Sequence, residues 1–382
     1  MAATIPYRPA LLALALLLLG CNGGTARAQD CPTNLPIDQI RLPEGFEISV
    51  YTERVPSARA MVLSESGTLY VGSRNAGKVY AVRDLDGDGC AEEVQTLTSG
   101  HADPVGLDLL DGALYFSSYN KIWRIDDVEN NIYRTPDPVL VTDSLPVDRH
   151  HGWKFIRFGP DGKLYVPQGA PCNICDPGDP YANIMRMNID GSGLEIVARG
   201  IRNTVGFDWH PVTGELWFTD NGRDWAGDNR PPDELNRISG DAQHFGYPHL
   251  HGADFLDPEF GQGHSIDEFT LPAQELGPHV AALGMRFYMG RQFPSGYNNQ
   301  IFIAEHGSWN RDTPLGARVM LVRVADDNAT CQSYEIFAEG WQRPNGSRWG
   351  RPVDVEVAHD GSLFVSDDLA GAIYRISYIG GK

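Results

Sequence analysis

A short alternating pattern of hydrophobic and polar residues, usually with an aromatic residue near its centre, recurs six times along the chain. The copies begin near residues 66, 111, 161, 213, 298 and 360 and read SGTLYVGS, DGALYFSS, DGKLYVPQ, TGELWFTD, NNQIFIAE and DGSLFVSD. Their turns are rich in Gly, Asn and Asp, which tolerate the positive φ of tight hairpins, and the strands carry the aromatic and branched residues of half-buried sheets. Second strand patterns follow several copies, as in GKVYAVRD, NKIWRIDD and GAIYRISY.

The spacing of these turns predicts the fold. Successive copies lie about 45, 50, 52, 86 and 61 residues apart, which is typical of propeller blades. We therefore predict an all-β protein, a six-bladed β-propeller of four-stranded antiparallel blades, with residues 31–382 as a single domain. The gap of 86 residues is interpreted as an insertion around HFGYPHLHGADFLDPEFGQGHSIDEF and not as a seventh blade. Long loops of this kind often line a site where blade loops converge.

Residues 1–28 are predicted to be an export signal. The apolar run ALLALALLLLG after Arg8 is too short and too close to the terminus to be a spanning helix. Two cleavage sites remain open: a lipoprotein signal would end before Cys21, which would then carry lipid, and an ordinary signal peptide would end at Ala28. Both alternatives predict an exported, periplasmic protein. Under the lipoprotein alternative, its only membrane contact would be an outer-membrane lipid anchor at Cys21.

Export to an oxidising compartment makes the remaining cysteines candidates for disulfides. They are Cys31, Cys90, Cys172, Cys175 and Cys331. The spacing PCNICDP predicts a local disulfide between Cys172 and Cys175, because no second pair is suitably placed for a zinc site. The pairing of the others stays open.

The overall charge argues against nucleic acid as a partner. Lys and Arg number 31 against 50 Asp and Glu, which gives a net charge of -19, and such a field repels phosphate backbones and anionic lipids. An acidic exterior is compatible with divalent cations or with a basic electron-transfer partner. In DLDGDGCAEE, Asp84, Asp86 and Asp88 have the alternate spacing of a calcium loop, but Gln95 stands at its twelfth position. An acidic hairpin turn is favoured there over a structural calcium site.

Five polar clusters occupy corresponding places beside the strand repeats. They are RHHGWK at 149–154, GIRNTVGFDW at 200–209, TDNGRDWAGDNRPPDELNRI at 219–238, AEHGSWNRDTPLGAR at 304–318 and SRWGRPVDV at 347–355. Loops so placed converge on one face of a propeller. The chain lacks the GxSxG, Walker, HExxH and dinucleotide-binding motifs. The remaining candidate chemistry is proton abstraction by a histidine, with a neighbouring arginine that stabilises an anion. Removal of a hydride would also need a bound organic cofactor.

These clusters resemble motifs of the soluble pyrroloquinoline quinone (PQQ)-dependent glucose/sorbosone dehydrogenase family, in particular its sorbosone dehydrogenase-like branch. The resemblance covers nearly the whole mature chain. Its most specific segments are HGWKFIRFGPDGKLYV, RNTVGFDWHPVTGELWFTDNGRD, DELNRI with HFGYP, and GRPVDVEVAHDGSLFVSDDLAGAIYRI. It implies a six-bladed propeller that oxidises an aldose or related sugar aldehyde or alcohol by hydride transfer to PQQ, with calcium. A cytochrome or a quinone would accept the electrons.

The resemblance also implies roles for individual residues. His151 is the general base, counted back from the GPDGK turn, and His150 is its neighbour. The remaining site residues contact the cofactor or the calcium ion. The cofactor contacts are Arg202, which is also assigned to catalysis, Asn203, Asn221 and Arg351, and the calcium contacts are the carbonyls of Gly222 and Arg223 with the carboxylate of Asp233.

One departure from the family pattern concerns a lysine that bridges the cofactor carboxylates in glucose-oxidising members. This chain has AEHGSWNR in that place, so His306 or Arg311 would substitute, and we assign Arg311 to cofactor binding because a guanidinium forks onto carboxylates. Two other functions stay open: a calcium-dependent lactonase, and a non-catalytic propeller that binds carbohydrate or protein.

Overall fold

The structure, a computed structural model, describes Met1 and residues 31–380. The predicted export signal, including Cys21 and Ala28, therefore lies outside the described residues apart from Met1. In the part that is described, none of the helices has the length and apolar character needed to cross a membrane. The helices are short, namely 3-10 turns at Ile37–Gln39, Ile266–Glu268 and Ser295–Tyr297 and one α-helical turn, α1, at Val128–Asn131.

Six four-stranded antiparallel sheets confirm the predicted β-propeller. Strand β1 (Phe46–Thr52) comes first, and the blades then follow in chain order. Blade 1 contains β2 (Ala58–Leu63), β3 (Leu69–Ser73), β4 (Lys78–Arg83) and β5 (Glu93–Ser99). Blade 2 contains β6 (Leu107–Leu110), β7 (Ala113–Ser118), β8 (Lys121–Ile125) and β9 (Val139–Thr142). Blade 3 contains β10 (Arg157–Phe158), β11 (Leu164–Gln168), β12 (Asn183–Met187) and β13 (Glu195–Arg199).

The second half of the ring holds the insertion and the closure. Blade 4 contains β14 (Gly206–Trp209), β15 (Leu216–Asp220) and β16 (Pro232–Ile238), then a small hairpin of β17 (Leu250–His251) and β18 (Phe255–Leu256), and finally β19 (Gln274–Pro278). Blade 5 contains β20 (Ala282–Phe287), β21 (Ile301–Glu305), β22 (Arg318–Val324) and β23 (Cys331–Glu339). Blade 6 contains β24 (Pro352–Val357), β25 (Leu363–Asp367) and β26 (Ala372–Tyr378), and β1 completes it by pairing with β26.

The sequence repeat corresponds to one feature of every blade. Each of the six turns joins the first strand of a blade to the second, and the hydrophobic run that follows is the buried second strand. Gly67, Gly162 and Gly361 in these turns have φ values of 91°, 73° and 86°, a region that favours glycine. The predicted insertion is confirmed, because residues 239–273 connect β16 to β19 within blade 4 and form no further blade.

Two disulfides add covalent links. The predicted local bond between Cys172 and Cys175 is confirmed. The pairing that the sequence left open joins Cys31 to Cys90, with 5.6 Å between their Cα atoms, and so ties the segment before β1 to the loop after β4. Cys331 is the free cysteine among the described residues.

Buried hydroxyl groups join alternate blades to their neighbours. In blades 2, 4 and 6 the fourth residue of the LYFSS, LWFTD and LFVSD motifs donates to a backbone carbonyl at the start of the next blade. The pairs are Ser117 and Lys154 (2.7 Å), Thr219 and Leu283 (2.6 Å), and Ser366 and Arg59 (2.7 Å). Blades 1, 3 and 5 have Gly72, Pro167 and Ala304 at this position. The alternation is therefore visible in the sequence as a hydroxyl in every second repeat.

Replacing Thr219 by Val is expected to lower the free energy of unfolding by about 1–3 kcal/mol. The change removes a fully buried hydroxyl donor, and the carbonyl oxygens of Gly206 and Leu283 lose the hydrogen bonds that they accept from it. Urea unfolding monitored by tryptophan fluorescence measures the change. Thr213→Val is the control, since Thr213 is exposed and surface substitutions usually change stability by no more than about 0.5 kcal/mol. Equal effects of the two substitutions would contradict a structural role for the hydrogen bond from Thr219 to the next blade.

Candidate active site

A cavity of about 280 Å³ opens where loops of blades 1, 3, 4, 5 and 6 converge on one face. Its walls come from loops that precede the first strands and loops that follow the second strands. Most of the site residues predicted from the sequence lie together in this lining. They are His151, Arg202, Asn203, Asn221, Gly222, Asp233, His306 and Arg351.

His151 is a buried base with a defined tautomer. Its side chain lies in the lining, and its Nδ1 is 2.9 Å from the carbonyl oxygen of Ala170. Because a carbonyl only accepts hydrogen bonds, Nδ1 carries the proton and Nε2 keeps its lone pair. Burial, reinforced by the positive charge of Arg202, lowers the pKa of His151 well below its ordinary value. The imidazole is therefore neutral and able to accept a proton at Nε2.

Backbone geometry fixes the position of this histidine. His151 has a φ of 49°, in the left-handed region that residues other than glycine rarely occupy. A Cβ on Gly169 would lie 2.5 Å from the Cβ of His151, and one on Gly152 would lie 2.2 Å from the carbonyl oxygen of Asp148. The two glycines are required for close approach. His150 packs against His151 with ring centroids 4.1 Å apart and does not belong to the lining.

Arg202 is held by a network that involves the local disulfide. Its guanidinium donates to the backbone and side-chain oxygens of Asn173, at 2.8 and 2.9 Å, and to the carbonyl of Asn221 at 3.0 Å. It also pairs with Asp224 at 3.3 Å. Asn173 lies between Cys172 and Cys175, so the disulfide ring shapes the loop that orients the arginine. The role of Asn173 was missed from the sequence, although its place inside the CNIC ring was a usable signal.

A buried carboxylate supports the turn at Asn221 and Gly222. Asp233 accepts hydrogen bonds from the backbone N–H groups of Gly222 (3.0 Å) and Ala282 (3.1 Å). The amide of Asn221 donates to the carbonyl of Ala282 at 2.6 Å, so the same turn is fixed to blade 5 twice. Burial raises the pKa of Asp233 to about 7. It also raises the pKa of Glu234 to about 8, with the neighbouring Asp220 as the second cause.

The opposite wall of the cavity is cationic. Arg351 donates to the carbonyl oxygens of His306 and Gly307, both at 2.9 Å, and burial lowers its pKa to about 10, which leaves it charged at neutral pH. The Nε2 of His306 lies 2.8 Å from Asp368. Burial nevertheless lowers the pKa of His306 to about 4, so this histidine is neutral.

Three lining residues of this wall were not predicted from the sequence. Two of them come from blade 1, and Trp153 lies inside the RHHGWK cluster but was given no role there. Arg59 pairs with Asp368 at 3.1 Å. The guanidinium of Arg74 lies 4.5 Å from the ring centre of Trp153, a cation–π contact. The indole nitrogen of Trp153 is buried and has no hydrogen-bond partner among the described residues. The wall therefore presents three guanidinium groups and an available N–H donor.

Two residues of the predicted site are absent from the lining, namely Arg223, predicted to bind calcium through its carbonyl, and Arg311, predicted to bind the cofactor. The guanidinium of Arg223 is bound by the buried Asp257 of the insertion. That of Arg311 donates to the carbonyl of Asp228 and, at 3.1 Å, to that of Thr313. Of the two proposed replacements for the family lysine, the structure brings His306 to the cavity and not Arg311.

The insertion itself also differs from expectation. None of residues 244–269, all of which the structure describes, lines the cavity. Asp257 of the insertion binds the guanidinium of Arg223, whose chain neighbours Gly222 and Asp224 line the cavity.

The acidic loop of blade 1 forms a compact turn. Oxygen atoms of Asp84, Asp86, Asp88 and Glu92 lie within 4.8 Å of one another. Asp84 accepts from the backbone N–H groups of Gly87 (2.7 Å) and Gly89 (2.9 Å), and Asp88 from that of Cys90 (2.8 Å). Such side-chain bonds to the local backbone are typical of Asp-rich turns, which fits the favoured interpretation.

Comparison with known proteins places the chain among sugar-oxidising relatives. A family model described as Glucose / Sorbosone dehydrogenase matches residues 139–375. An uncharacterised protein of Borreliella burgdorferi is 32% identical over 351 residues, covering 89% of this chain and 91% of that protein. A PQQ-dependent pyranose dehydrogenase of Coprinopsis cinerea is 23% identical over 91% of this chain, which spans 56% of the length of that enzyme.

Solved structures share the propeller fold. The calcium structure of a Trichoderma reesei family AA12 enzyme has a TM-score of 0.76 at 20% identity, covering 89% of this chain and 97% of that one. The holo PQQ domain of the Coprinopsis cinerea pyranose dehydrogenase has a TM-score of 0.73 at 19% identity, covering 88% and 97% of the two chains. At sequence identities of 19–20%, the similarity to these two structures shows a shared fold.

The protonation state of His151 is directly testable. We expect its ring to stay neutral, with the proton on Nδ1, as the pH falls from about 8 through the ordinary histidine pKa of about 6.5, because burial disfavours the charged form. Two-dimensional ¹H–¹⁵N spectra of the imidazole nitrogens report both the tautomer and the titration. A His151→Gln variant assigns the signals, and a proton on Nε2 or a pKa at or above the ordinary value would contradict the assignment.

Proposed function

The chain belongs to the glucose/sorbosone dehydrogenase family, and from this premise we propose that it oxidises an aldose, or a related sugar aldehyde or alcohol, with PQQ and calcium. The observation that carries the proposal is the juxtaposition of a neutral, buried His151 with a fixed Arg202 in one arginine-lined cavity. A neutral base and a fixed positive charge beside it are the groups that removal of a hydroxyl proton uses.

The residues of the cavity suit PQQ, a planar quinone that carries several carboxylates. Arg59, Arg74 and Arg351 form a cationic wall for such anionic groups, and guanidinium groups bind carboxylates with strong, directed hydrogen bonds. The unpaired indole N–H of Trp153 offers a further donor beside that wall. Arg202 and Asn203 lie in the lining next to His151 and would contact the quinone oxygens.

The acidic side of the cavity suits calcium, which prefers oxygen ligands. The carbonyl oxygens of Gly222 and Arg223 would be ligands, and Asp233 would support them through its bond to the N–H of Gly222. Burial raises the pKa of Asp233 to about 7 and that of Asp220 to about 6. A divalent cation beside these carboxyl groups would stabilise their ionised forms.

In the proposed reaction, this chain supplies the base and the electrostatic setting. PQQ, when bound, provides the acceptor for the hydride and its two electrons. His151 takes the proton of the substrate hydroxyl at Nε2 while its Nδ1–H stays bound to Ala170, so an aldose would leave as its lactone. Arg202, held by Asn173 and Asn221, places a positive charge that needs no rearrangement during the reaction.

We also propose that the protein acts outside the cytoplasm. Two disulfides among the described residues support an oxidising compartment. The periplasm, with lipid at Cys21 under the lipoprotein alternative, fits this requirement. The net charge of -19 favours a basic cytochrome as the partner that removes electrons, and a membrane quinone is the alternative.

Substitution of His151 tests the proposed base. After reconstitution with PQQ and calcium, His151→Ala is expected to lower kcat by roughly a hundredfold to ten-thousandfold, measured by dye reduction with a panel of aldoses. In the unmodified protein, kcat/KM should stay level as the pH falls through about 6.5 and decline only below it, since burial lowers the pKa of His151. His150→Gln serves as the matched control. Full turnover in His151→Ala would rule out His151 as the base. Lactone cleavage without PQQ would favour the alternative function of a calcium-dependent lactonase.

Cofactor affinity tests the cationic wall. Arg351→Gln is expected to raise the Kd for PQQ by roughly tenfold to a hundredfold, because one charged hydrogen-bond donor contributes about 1.5–3 kcal/mol. Absorbance titration of the apo protein with PQQ in the presence of calcium measures it. Arg311→Gln is the control and should leave the Kd unchanged, since its guanidinium lies outside the cavity lining. An equal loss in both variants would contradict the placement of the wall.

A further inference from the structure

Two exposed tryptophans stand side by side at the rim of the cavity. Trp225 is 68% exposed and Trp309 is 65% exposed. Their ring centroids lie 5.1 Å apart, with the ring planes at 87°. The other six tryptophans of the chain, all within the described residues, are buried or half-buried. Exposure of two indole rings in contact is therefore a local feature that core packing does not explain.

The pair is continuous with the proposed active site. Trp309 belongs to the cavity lining, as does Asp224, the residue directly before Trp225. Trp225 lies in the loop after β15 and Trp309 in the loop after β21, the corresponding loops of neighbouring blades. If the reacting end of a longer molecule is bound in the cavity, the part that projects out of the cavity would lie on these rings.

Hydrogen bonds between the two loops hold the rings in place. Asn310 donates to the carboxylate of Asp224 at 2.9 Å, and the backbone N–H of Asp312 donates to that of Asp228 at 3.0 Å. Arg311 adds a bond to the carbonyl of Asp228. Trp225 itself is kept at a φ of 67°, a conformation that a bulky residue rarely adopts without support from its surroundings. A surface fixed in this way loses little conformational entropy on binding.

The size and chemistry of the pair favour a sugar ring over a protein. Two indoles at this exposure offer roughly 300 Å², whereas a stable protein interface takes about 800 Å² from each partner. The C–H groups on the face of a pyranose ring carry partial positive charge and pack on the electron-rich face of an indole. The same loop as Trp309 also carries the exposed Asp312, a polar side chain able to bind a sugar hydroxyl.

We propose that Trp225 and Trp309 form a second sugar subsite, so that the substrate is an oligosaccharide or the end of a polysaccharide. Its reacting unit occupies the cavity and the adjoining unit packs on the tryptophan pair. The inference rests on the proposed function, because it takes the reacting unit to be a sugar held beside His151.

Kinetics with saccharides of increasing length test the subsite. The substrates are glucose and xylose with their α- and β-linked di-, tri- and tetrasaccharides, and the protein is loaded with PQQ and calcium. We expect KM to fall by about tenfold when a second ring is added, with kcat little changed. The double variant Trp225→Ala/Trp309→Ala should lose this gain, so that its KM for a disaccharide equals its own KM for the monosaccharide. Replacement of both residues by Phe should retain part of it.

Tyr133→Ala is the matched control. Tyr133 is 63% exposed and lies between the third and fourth strands of blade 2, at the far end of the strands from the cavity loops. Its removal should leave the length dependence intact. A KM that does not depend on length for any saccharide of the panel, or a length dependence that survives in the double alanine variant, would overturn the proposal.

Binding without cofactor separates this inference from the proposed function. Calorimetric titration of the apo protein with the same tetrasaccharides should show binding that the double alanine variant loses. Binding lost in the variant, in a protein that oxidises no sugar, would overturn the proposed function and leave the subsite standing. Sugar oxidation by a protein that binds no tetrasaccharide would overturn the subsite and leave the proposed function standing. A loss of cytochrome reduction alone in the double variant would assign the pair to a protein partner and overturn the subsite.

Discussion

The hydrogen bond from a buried hydroxyl to the carbonyl at the entry of the next blade is the interaction on which both the ring and the cavity depend. Its acceptors are Lys154, Leu283 and Arg59. Leu283 and Arg59 line the cavity, and Lys154 follows Trp153, which does so too. The bonds at three of the six blade junctions thus also fix three points of the cavity wall. Space at these joints is tight, since a Cβ on Gly206 would lie 2.3 Å from the carbonyl oxygen of Leu283.

The blade count and the convergence of the main site residues were predictable because both follow from local sequence. A tight turn followed by an alternating strand is specified within eight residues, and six such units fix the fold. Loops at corresponding positions of the repeat then reach the same face. His151, Arg202 and Arg351, from three different blades, accordingly meet in one cavity. The sorbosone-like branch within the family is a finer distinction, which the fold alone does not decide.

What the sequence could not supply is which partner each side chain takes. Arg311 was predicted to bind the cofactor through its guanidinium, but that group donates to the carbonyl of Asp228. The guanidinium of Arg223 likewise has a partner that the sequence did not indicate, Asp257 of the insertion. Conversely, Arg59 reaches the cavity because closure of the ring by β1 and β26 brings blade 1 beside blade 6. Such pairings depend on contacts between residues far apart in the chain, and no local pattern encodes them.

The base and the arginine are linked through the backbone of one residue, Ala170. The carbonyl of Ala170 accepts the proton on Nδ1 of His151, while its own N–H donates to the carbonyl of Arg202 at 2.8 Å. Gly169, directly before it, leaves no room for a side chain between the two. The segment thus sets the histidine tautomer and its distance from the arginine together. Because that arginine also lowers the pKa of His151, the backbone that orients the base also contributes to keeping it unprotonated.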